Sequence, residues 1–421
     1  MKRFVALGSL VLLLAACAGA APFDRGPYSG APSADSITIS WTSSPPLPGQ
    51  VEIGRSATDD EGATFERIVC TSAPVGETRG STEVRVDRLL PATEYVYRVR
   101  VQSGSGTYES PLGHFRTAPA PGDPVRFTVV ADTQWQWEGE NRLQAVGDAI
   151  AADSSVAAFD FVLHAGDLVE RSTATFWDHW FASFERMLLA TPFIPVLGNH
   201  ERNSPSYYDA FTHPPGAGQG DERWWALHWG DVVVVGLDTN ASRADQVLEQ
   251  QAWAEKELSG SERDKFVVFH HPVYSSDAYQ GSGYGYETTY HPIFVRTGVD
   301  IVFNGHAHNY ERIEKDGVTY LVLGGGGAVP RPLAPQRVAG SIIAVEGRNF
   351  YARVTTTQQG ISVDVVSVAE ATDDSFRVTP DELIDSFFLP WESKEEWMSR
   401  RATCRACAVV TARPQLERVT L

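Results

Sequence analysis

The stretch Val299-Asp-Ile-Val-Phe-Asn-Gly-His-Ala-His308 reads as a short apolar strand that runs straight into a glycine and two histidines. Four other segments end in the same manner. Val125–Ala131 ends in Asp132, and Phe159–Ala165 in Gly166-Asp167. Phe193–Leu197 ends in Gly198-Asn199-His200-Glu201, and Phe266–Phe269 in His270-His271-Pro272. Two more apolar runs, Val232–Leu237 and Tyr320–Leu323, have strand length. Helical patterns lie between them near 140–152, 174–190, 243–258 and 288–297. This alternation predicts an α/β domain whose strands are buried on both faces. In an open α/β sheet ligands gather beyond the carboxyl ends of the strands. Five loops far apart in sequence should therefore deliver Asp132, Asp167, Asn199, His270, His306 and His308 to one rim.

That donor set mixes oxygen with imidazole and contains no thiolate, which suits Mn, Fe or Zn in a reactive site rather than a structural zinc. Gly166, Gly198 and Gly305 fit tight strand-to-loop turns where backbone crowds the site. Taken singly the pieces are weak, since Gly-Asp is usually a turn and Asn-His a cap. Their strength is the recurrence of all five, in order, each at a strand end.

These residues resemble the calcineurin-like metallophosphoesterase pattern of D-x-[HG], GDxx, GNH[DE], VxxH and GHxH. The longer ending Gly305-His-Ala-His308-Asn-Tyr-Glu-Arg312 resembles the purple acid phosphatase branch, whose members carry a β-sandwich before the catalytic domain. The likeness covers roughly residues 33 to 368. It implies a four-layer αββα domain with two metal ions. By motif position Asp167 would bridge the metals, Asp132 and His308 would hold the first, and Asn199, His270 and His306 the second. His200 would stay unligated as the catalytic residue, facing the phosphate and helping to stabilise charge or to protonate the leaving oxygen.

Two departures from that pattern matter. Purple enzymes place Tyr three residues after the bridging Asp, where this chain has Glu170. Other members place His two residues after the first Asp, where this chain has Gln134. We expect Glu170, or less favourably the Gln134 amide oxygen, to fill the vacant ligand position, and the enzyme to be colourless. Purple enzymes also carry further His shortly after His-x-Pro, whereas here none follows until His291. His271 and His291 are the candidate substrate contacts at the rim. Trp135, Trp137, Trp224 and Trp225 are candidates for stacking on an organic group. The glycine-rich segment Tyr279–Tyr290 reads as a loop that shapes specificity. Gly324–Gly327 reads as a tight turn and lacks the G-x-x-x-x-G-K of a P-loop.

The N-terminal third has a different texture. Ser36–Trp41, Gln50–Ile53, Glu83–Val86 and Tyr95–Val101 alternate with period two, separated by turn clusters such as Ser43–Gly49. This predicts an antiparallel β-sandwich over residues 33–118. The string Leu90-Pro-Ala-Thr-Glu-Tyr95-Val-Tyr resembles the tyrosine corner of fibronectin type III domains, with Tyr95 bonding back to the backbone. Residues 119–124 read as a linker, 125–370 as the catalytic domain and 371–421 as a C-terminal extension with a helix-like stretch at Thr379–Leu389.

At the start of the chain Lys2-Arg3 precedes the apolar run Phe4–Ala16, too short to span a bilayer with ease and suited to a signal peptide over residues 1–16. It ends in Leu14-Ala-Ala-Cys17, which resembles the bacterial lipobox and implies lipidation at Cys17, with 17–32 as a tether. Ala18-Gly-Ala20 offers the alternative of ordinary cleavage and a secreted soluble protein. Cys404 and Cys407 form a C-x-x-C pair suited to a local disulfide in an oxidising compartment, and Cys70 reads as a small buried hydrophobe. His114, His164, His179, His213 and His228 lie outside the motifs and read as structural.

The chain has 421 residues, 43% hydrophobic and 21% charged, so it is globular, with ample material for full cores. Its net charge of −18 argues against nucleic acid as a partner. The expected function is hydrolysis of a small phosphate monoester by water activated between two metals, which lower the pKa of bound water from about 15.7 towards 7. A phosphodiesterase on the same core is the alternative, and a non-catalytic surface binding protein the rival of another class. Membrane attachment is expected only through the lipid, and the sequence does not show an oligomeric state.

Overall fold

The computed structural model of the chain describes residues 23–55, 65–71, 80–104, 106–134, 141–218, 222–372 and 375–391. The N-terminal unit contains β1 (Phe23–Gly30), β2 (Ser36–Ser43), β3 (Gly49–Arg55), β4 (Arg67–Thr71), β5 (Gly80–Asp87), β6 (Glu94–Ser103), β7 (Gly106–Glu109) and β8 (Gly113–Arg116). One sheet has the order β1-β2-β5; the other runs β4-β3-β6-β7, with β8 also pairing β6. Alternation places Ile37, Ile39 and Trp41 of β2, Val86 of β5, Val51 of β3 and Tyr97, Val99 and Val101 of β6 in one buried core. That packing of two inner faces defines a β-sandwich. The Tyr95 hydroxyl accepts the Leu90 N–H at 2.9 Å, the bond expected of the corner.

Two expectations change in this unit. Residues 23–30 form β1 rather than part of a tether. The strand pairs with β2 through two register shifts, which hid its alternation. Pro27 is tolerated because β1 lies at a sheet edge. Cys70 is exposed rather than buried, because β4 is also an edge strand and turns this side chain outward.

The second unit contains β9 (Val125–Val130), α1 (Arg142–Val156), β10 (Phe161–His164), α2 (Ala174–Ala190), β11 (Phe193–Pro195), α3 (Pro205–Tyr208), β12 (Gly216–Ala217), β13 (Trp224–Trp229), β14 (Val232–Gly236), α4 (Ala244–Leu258) and β15 (Asp264–Val268). It continues with α5 (Tyr286–Thr289), α6 (His291–Thr297), β16 (Ile301–Asn304), β17 (Tyr310–Lys315), β18 (Val318–Leu323), β19 (Ser341–Val345), β20 (Arg348–Thr356), β21 (Gly360–Ala371) and β22 (Phe376–Pro390). A six-stranded sheet has the order β11-β10-β9-β20-β21-β22, and an eight-stranded sheet the order β12-β13-β14-β15-β16-β18-β17-β19.

Three apolar cores give the layers. Phe127, Phe161, Val354 and Val363 of the first sheet meet Trp225, Phe266, Phe303 and Leu321 of the second. Phe127 stacks on Phe161 at 4.9 Å and meets the Phe266 edge at 5.2 Å. Burying each such ring contributes about 1.5–3 kcal/mol. Val146 and Ile150 of α1 and Trp180 and Phe184 of α2 cover the outer face of the first sheet. Ala254 and Leu258 of α4 and Ile293 and Phe294 of α6 cover that of the second. The order is helix, sheet, sheet, helix: the expected four layers. Parallel pairing of β9 with β10, β10 with β11, and β14 through β15 and β16 to β18 points their carboxyl ends one way within each sheet.

The stretch Thr379–Leu389 is strand, not helix, and residues 376–390 extend the six-stranded sheet rather than leaving it. Ile384, Phe387 and Leu389 pack on the core between the sheets, while register shifts along the β21–β22 pairing break the period-two signal. The units are tied together: Arg25 Nε donates to Asp178 Oδ1 at 2.8 Å, and the linker amide of Gly122 to Asp231 Oδ2 at 2.8 Å. The leader, Cys17, Trp135, Trp137, Cys404 and Cys407 lie outside the described residues. Among the described residues no helix is long and apolar enough to cross a membrane.

Candidate metal centre

Three of the rim residues adopt left-handed backbone: Asp132 at φ 57°, Asp167 at 57° and His306 at 67°. Such conformations cost of order 1–3 kcal/mol for residues other than glycine and persist where surrounding bonds over-determine them. Those bonds are present. The amide of Asp132 donates to the Gly166 carbonyl at 3.0 Å, and that of Thr133 to the Asp167 carbonyl at 2.9 Å. The His306 amide donates to Asp132 Oδ2 at 2.7 Å. Close approach demands glycine at two neighbours. A Cβ on Gly198 would sit 2.1 Å from Asp167 Oδ1, and one on Gly305 2.4 Å from Asp132 Oδ2.

A fully buried carboxylate binds two of the loops together. Glu201 accepts the amides of Asp167 at 3.0 Å, Leu168 at 2.9 Å, Val169 at 3.2 Å and Gly198 at 2.8 Å. Burial and the Asp167 charge push its carboxyl up to about 7, against the pull of the N–H donors.

The three imidazoles are each held from one side. His270 Nδ1 lies 2.9 Å from the Ala165 carbonyl, and His308 Nδ1 2.9 Å from the Val329 carbonyl. A carbonyl accepts only, so both Nδ1 atoms carry a proton, and in the neutral ring that a metal binds each Nε2 offers its lone pair. His306 is held the other way round. Its Nε2 meets Gln280 Oε1 at 3.0 Å and the Tyr284 hydroxyl at 2.8 Å, leaving Nδ1 to face inward. Oxygen partners on the far nitrogen are how metal-binding histidines are oriented.

The inward atoms converge. His270 Nε2 lies 3.0 Å from Asp167 Oδ2, 3.1 Å from Asn199 Oδ1 and 3.1 Å from His306 Nδ1. Asp132 Oδ1 lies 3.5 Å from His308 Nε2 and has no hydrogen-bond partner. Donor atoms of Asp132, Asp167 and His270, and of His270, His271 and His306, fall within 4.8 Å of one another. Burial would lower the His270 pKa, but the Asp167 and Asp132 carboxylates and the Ala165 carbonyl outweigh it and hold it at about 9. The same burial, with the His270 charge, pushes His306 down to about 2. Buried acids, lone pairs turned inward and an orphaned carboxylate oxygen are what a cation site requires.

All six expected ligands therefore meet at one rim. His200 is there too: its amide donates to Asp167 Oδ1 at 2.9 Å, Nδ1 lies 2.9 Å from the Glu170 carbonyl, and Nε2 3.7 Å from Asp167 Oδ2. Glu170 Oε2 points towards His200 Nδ1 at 3.7 Å. The Gln134 amide nitrogen lies 3.2 Å from His308 Nε2. His271 also arrives, its ring 4.5 Å from that of His306 and its Nδ1 2.8 Å from Thr239 Oγ1.

His291 is not brought to the rim. It opens α6 and bonds the Tyr320 hydroxyl at 2.6 Å and Asp316 Oδ2 at 2.9 Å. Asp316 lies in the β17–β18 turn, at the end of β18 opposite the one that faces the site. Trp224 and Trp225 are buried and present no stacking face. His164 and His213 are buried, as structural residues would be. Sequence reasoning gave no role to Glu201, Gln280 or Tyr284. Glu201 closes the Gly198-Asn-His-Glu string, and the other two lie in the glycine-rich loop, so only their contacts reveal them.

Residues 125–310 match the calcineurin-like phosphoesterase family, and residues 12–119 match the PhoD-like phosphatase N-terminal domain. An uncharacterized protein of Mycobacterium tuberculosis is 30% identical over 288 residues, 58% of this chain and 54% of that protein. This chain thus spans about half the length of that relative. Acid phosphatase type 7 of Homo sapiens is 26% identical over 321 residues, 68% of this chain and 69% of the human protein. The solved structure of a purple acid phosphatase from yellow lupin (Lupinus luteus) seeds shares the fold, with a TM-score of 0.71 at 21% identity, covering 88% of this chain and 74% of that one. Sequence motifs, layers and site geometry agree: the chain carries a calcineurin-like phosphoesterase domain behind a PhoD-like phosphatase N-terminal domain.

Proposed function

We propose that this protein is a binuclear metal-dependent phosphatase acting on small phosphate monoesters. The observation that carries the reading is the trio of imidazoles, each engaged by oxygen on its outer nitrogen, with free nitrogens gathered around Asp132 and Asp167. Asp132, Asp167 and His308 would hold one cation, and Asp167, Asn199, His270 and His306 the other. Bound Fe, Zn or Mn ions would supply an activated water and neutralise charge on the phosphoryl oxygens. A relative named acid phosphatase supports the same chemistry.

The chain's own groups do the rest. The Glu201 bonds fix the two loops that present Asp167 and Asn199, so the donors need not reorganise when substrate arrives. His200, half-buried and tied to the Glu170 carbonyl through Nδ1, presents Nε2 to the site. In its cationic form it can pass that proton to the departing oxygen. His271 stands at the mouth beside Tyr284, their rings 5.0 Å apart, where it can meet the substrate.

Parallel assays on p-nitrophenyl phosphate and bis-p-nitrophenyl phosphate, with the chelated protein and Asp167→Ala as controls, test the reading. A preference for the monoester lost by more than about 100-fold in both controls supports it. Preference for the diester would make the protein a phosphodiesterase, and no metal-dependent turnover at all would favour a binding protein. The Leu14–Cys17 string supports export with lipid attachment at Cys17. Fatty-acid labelling compared with Cys17→Ala tests this, and equal labelling of both refutes it.

A further inference from the structure

We propose that the side-chain amide of Gln134, and not the carboxylate of Glu170, supplies the remaining protein ligand of the first metal position. The assignment rests on the binuclear reading above and concerns the place where this chain has neither the Tyr nor the His of its relatives' motifs.

Gln134 is 1% exposed, and its Oε1 has no hydrogen-bond partner. A buried amide oxygen without a donor is destabilising, so its persistence calls for an explanation. The other end of the amide supplies one. Nε2 lies 3.2 Å from His308 Nε2, the nitrogen whose lone pair is free because Nδ1 donates to the Val329 carbonyl. Asp132 Oδ1, fully buried and equally unpartnered, approaches that nitrogen at 3.5 Å. Three side chains thus converge on one point: an imidazole lone pair, a carboxylate oxygen and an amide. Without a cation the amide offers N–H to the lone pair. A half-turn about the terminal bond offers Oε1 to the same point, where a cation would satisfy both orphaned oxygens at once.

Glu170 is placed differently. The contact it makes is with the acid, whereas Gln134 touches His308 directly at 3.2 Å. Glu170 Oε2 lies 3.7 Å from His200 Nδ1, and its side chain is 27% exposed. That oxygen is also buried without a hydrogen-bond partner, but it lies on the His200 side of the site, so it is assigned to the acid rather than to the cation.

The test uses the full-length protein, stripped by chelator and reloaded with cobalt(II) or zinc(II). Metal is counted by mass spectrometry after dialysis, and the cobalt visible spectrum is recorded. The parent chain should retain two cations. Gln134→Leu should retain about one, or hold its weaker cation at least 10-fold less tightly, with a changed cobalt band. Glu170→Gln should retain two, with the parent spectrum. Gln134→Glu and Gln134→His, which restore a donor, should also retain two, and they separate loss of a ligand from failure to fold. Retention of two cations at unchanged affinity by Gln134→Leu, or loss of one by Glu170→Gln, overturns the assignment alone. A parent chain that takes up fewer than two cations overturns the binuclear reading, and this assignment with it.

Discussion

Glu201 receives the backbone N–H of Asp167 at 3.0 Å and stands with no solvent contact beneath it. Its oxygens also collect the amides of Leu168, Val169 and Gly198, so one side chain determines where the two loops carrying the proposed ligands Asp167 and Asn199 sit. Glu201→Gln turns an N–H group towards amides that need an acceptor. Urea denaturation should show a loss of about 2–4 kcal/mol, and phosphatase activity should fall by about 10–100-fold. Unchanged stability would mean that the loops are held by other contacts.

Gly198→Ala should disable the site by crowding. Its Cβ would lie 2.1 Å from Asp167 Oδ1, so the carboxylate or the loop must move. Gly281→Ala is the matched control, because its Cβ would meet nothing nearer than the Asp277 carbonyl at 3.5 Å. Metal content and turnover should drop for the first variant and stay within about twofold for the second. An active Gly198→Ala enzyme would show the loop to be more compliant than its packing indicates.

Tyr284 and Gln280 share the outer nitrogen of His306, at 2.8 and 3.0 Å. Removing one partner leaves the other, so Tyr284→Phe should weaken uptake of the proposed second cation modestly. Tyr284→Phe combined with Gln280→Leu should weaken it by about 10–100-fold, the usual effect of losing such orienting bonds. Competition titration with a zinc indicator reads this directly. Equal affinities for the parent and the double variant would remove the loop from any role at the metal.

Acid sensitivity has an identifiable contributor away from the site. His213 is buried against the Tyr207 hydroxyl at 2.9 Å, and burial pushes its pKa down to about 3 from 6.5. The unfolded chain therefore binds a proton on this residue that the folded chain refuses. Its stabilising contribution is complete above pH 6.5 and is lost as pH falls towards 3, at up to about 1.4 kcal/mol per pH unit. His213→Gln should flatten the stability profile across that window in denaturant titrations. A profile parallel to that of the parent would place the acid sensitivity elsewhere.

The strand ends were legible in the sequence because chemistry there is written in residue type. Apolar runs that stop at Asp132, Asp167, Asn199, His270 and His306 declare both a buried sheet and its reactive edge. The β-sandwich was legible for the same reason, since alternation is the local imprint of a half-buried strand. β1 and β22 were not, because bulges shift their alternation, and β1 is also held by Asp178 and Ala210, 153 and 182 positions away.

What the sequence by itself determined was the α/β alternation, the β-sandwich and the Asp, Asn and His side chains at the strand ends, since these follow from hydrophobic period and residue type, while the four-layer order came from the family resemblance. Only the tertiary structure decided which nitrogen of each histidine faces inward, that Glu201 ties two loops, and that Gln134 rather than Glu170 lies beside His308. It likewise moved His291 from the rim to the far end of β18. Those relations join residues tens to hundreds of positions apart, and no local pattern encodes the direction of a hydrogen bond.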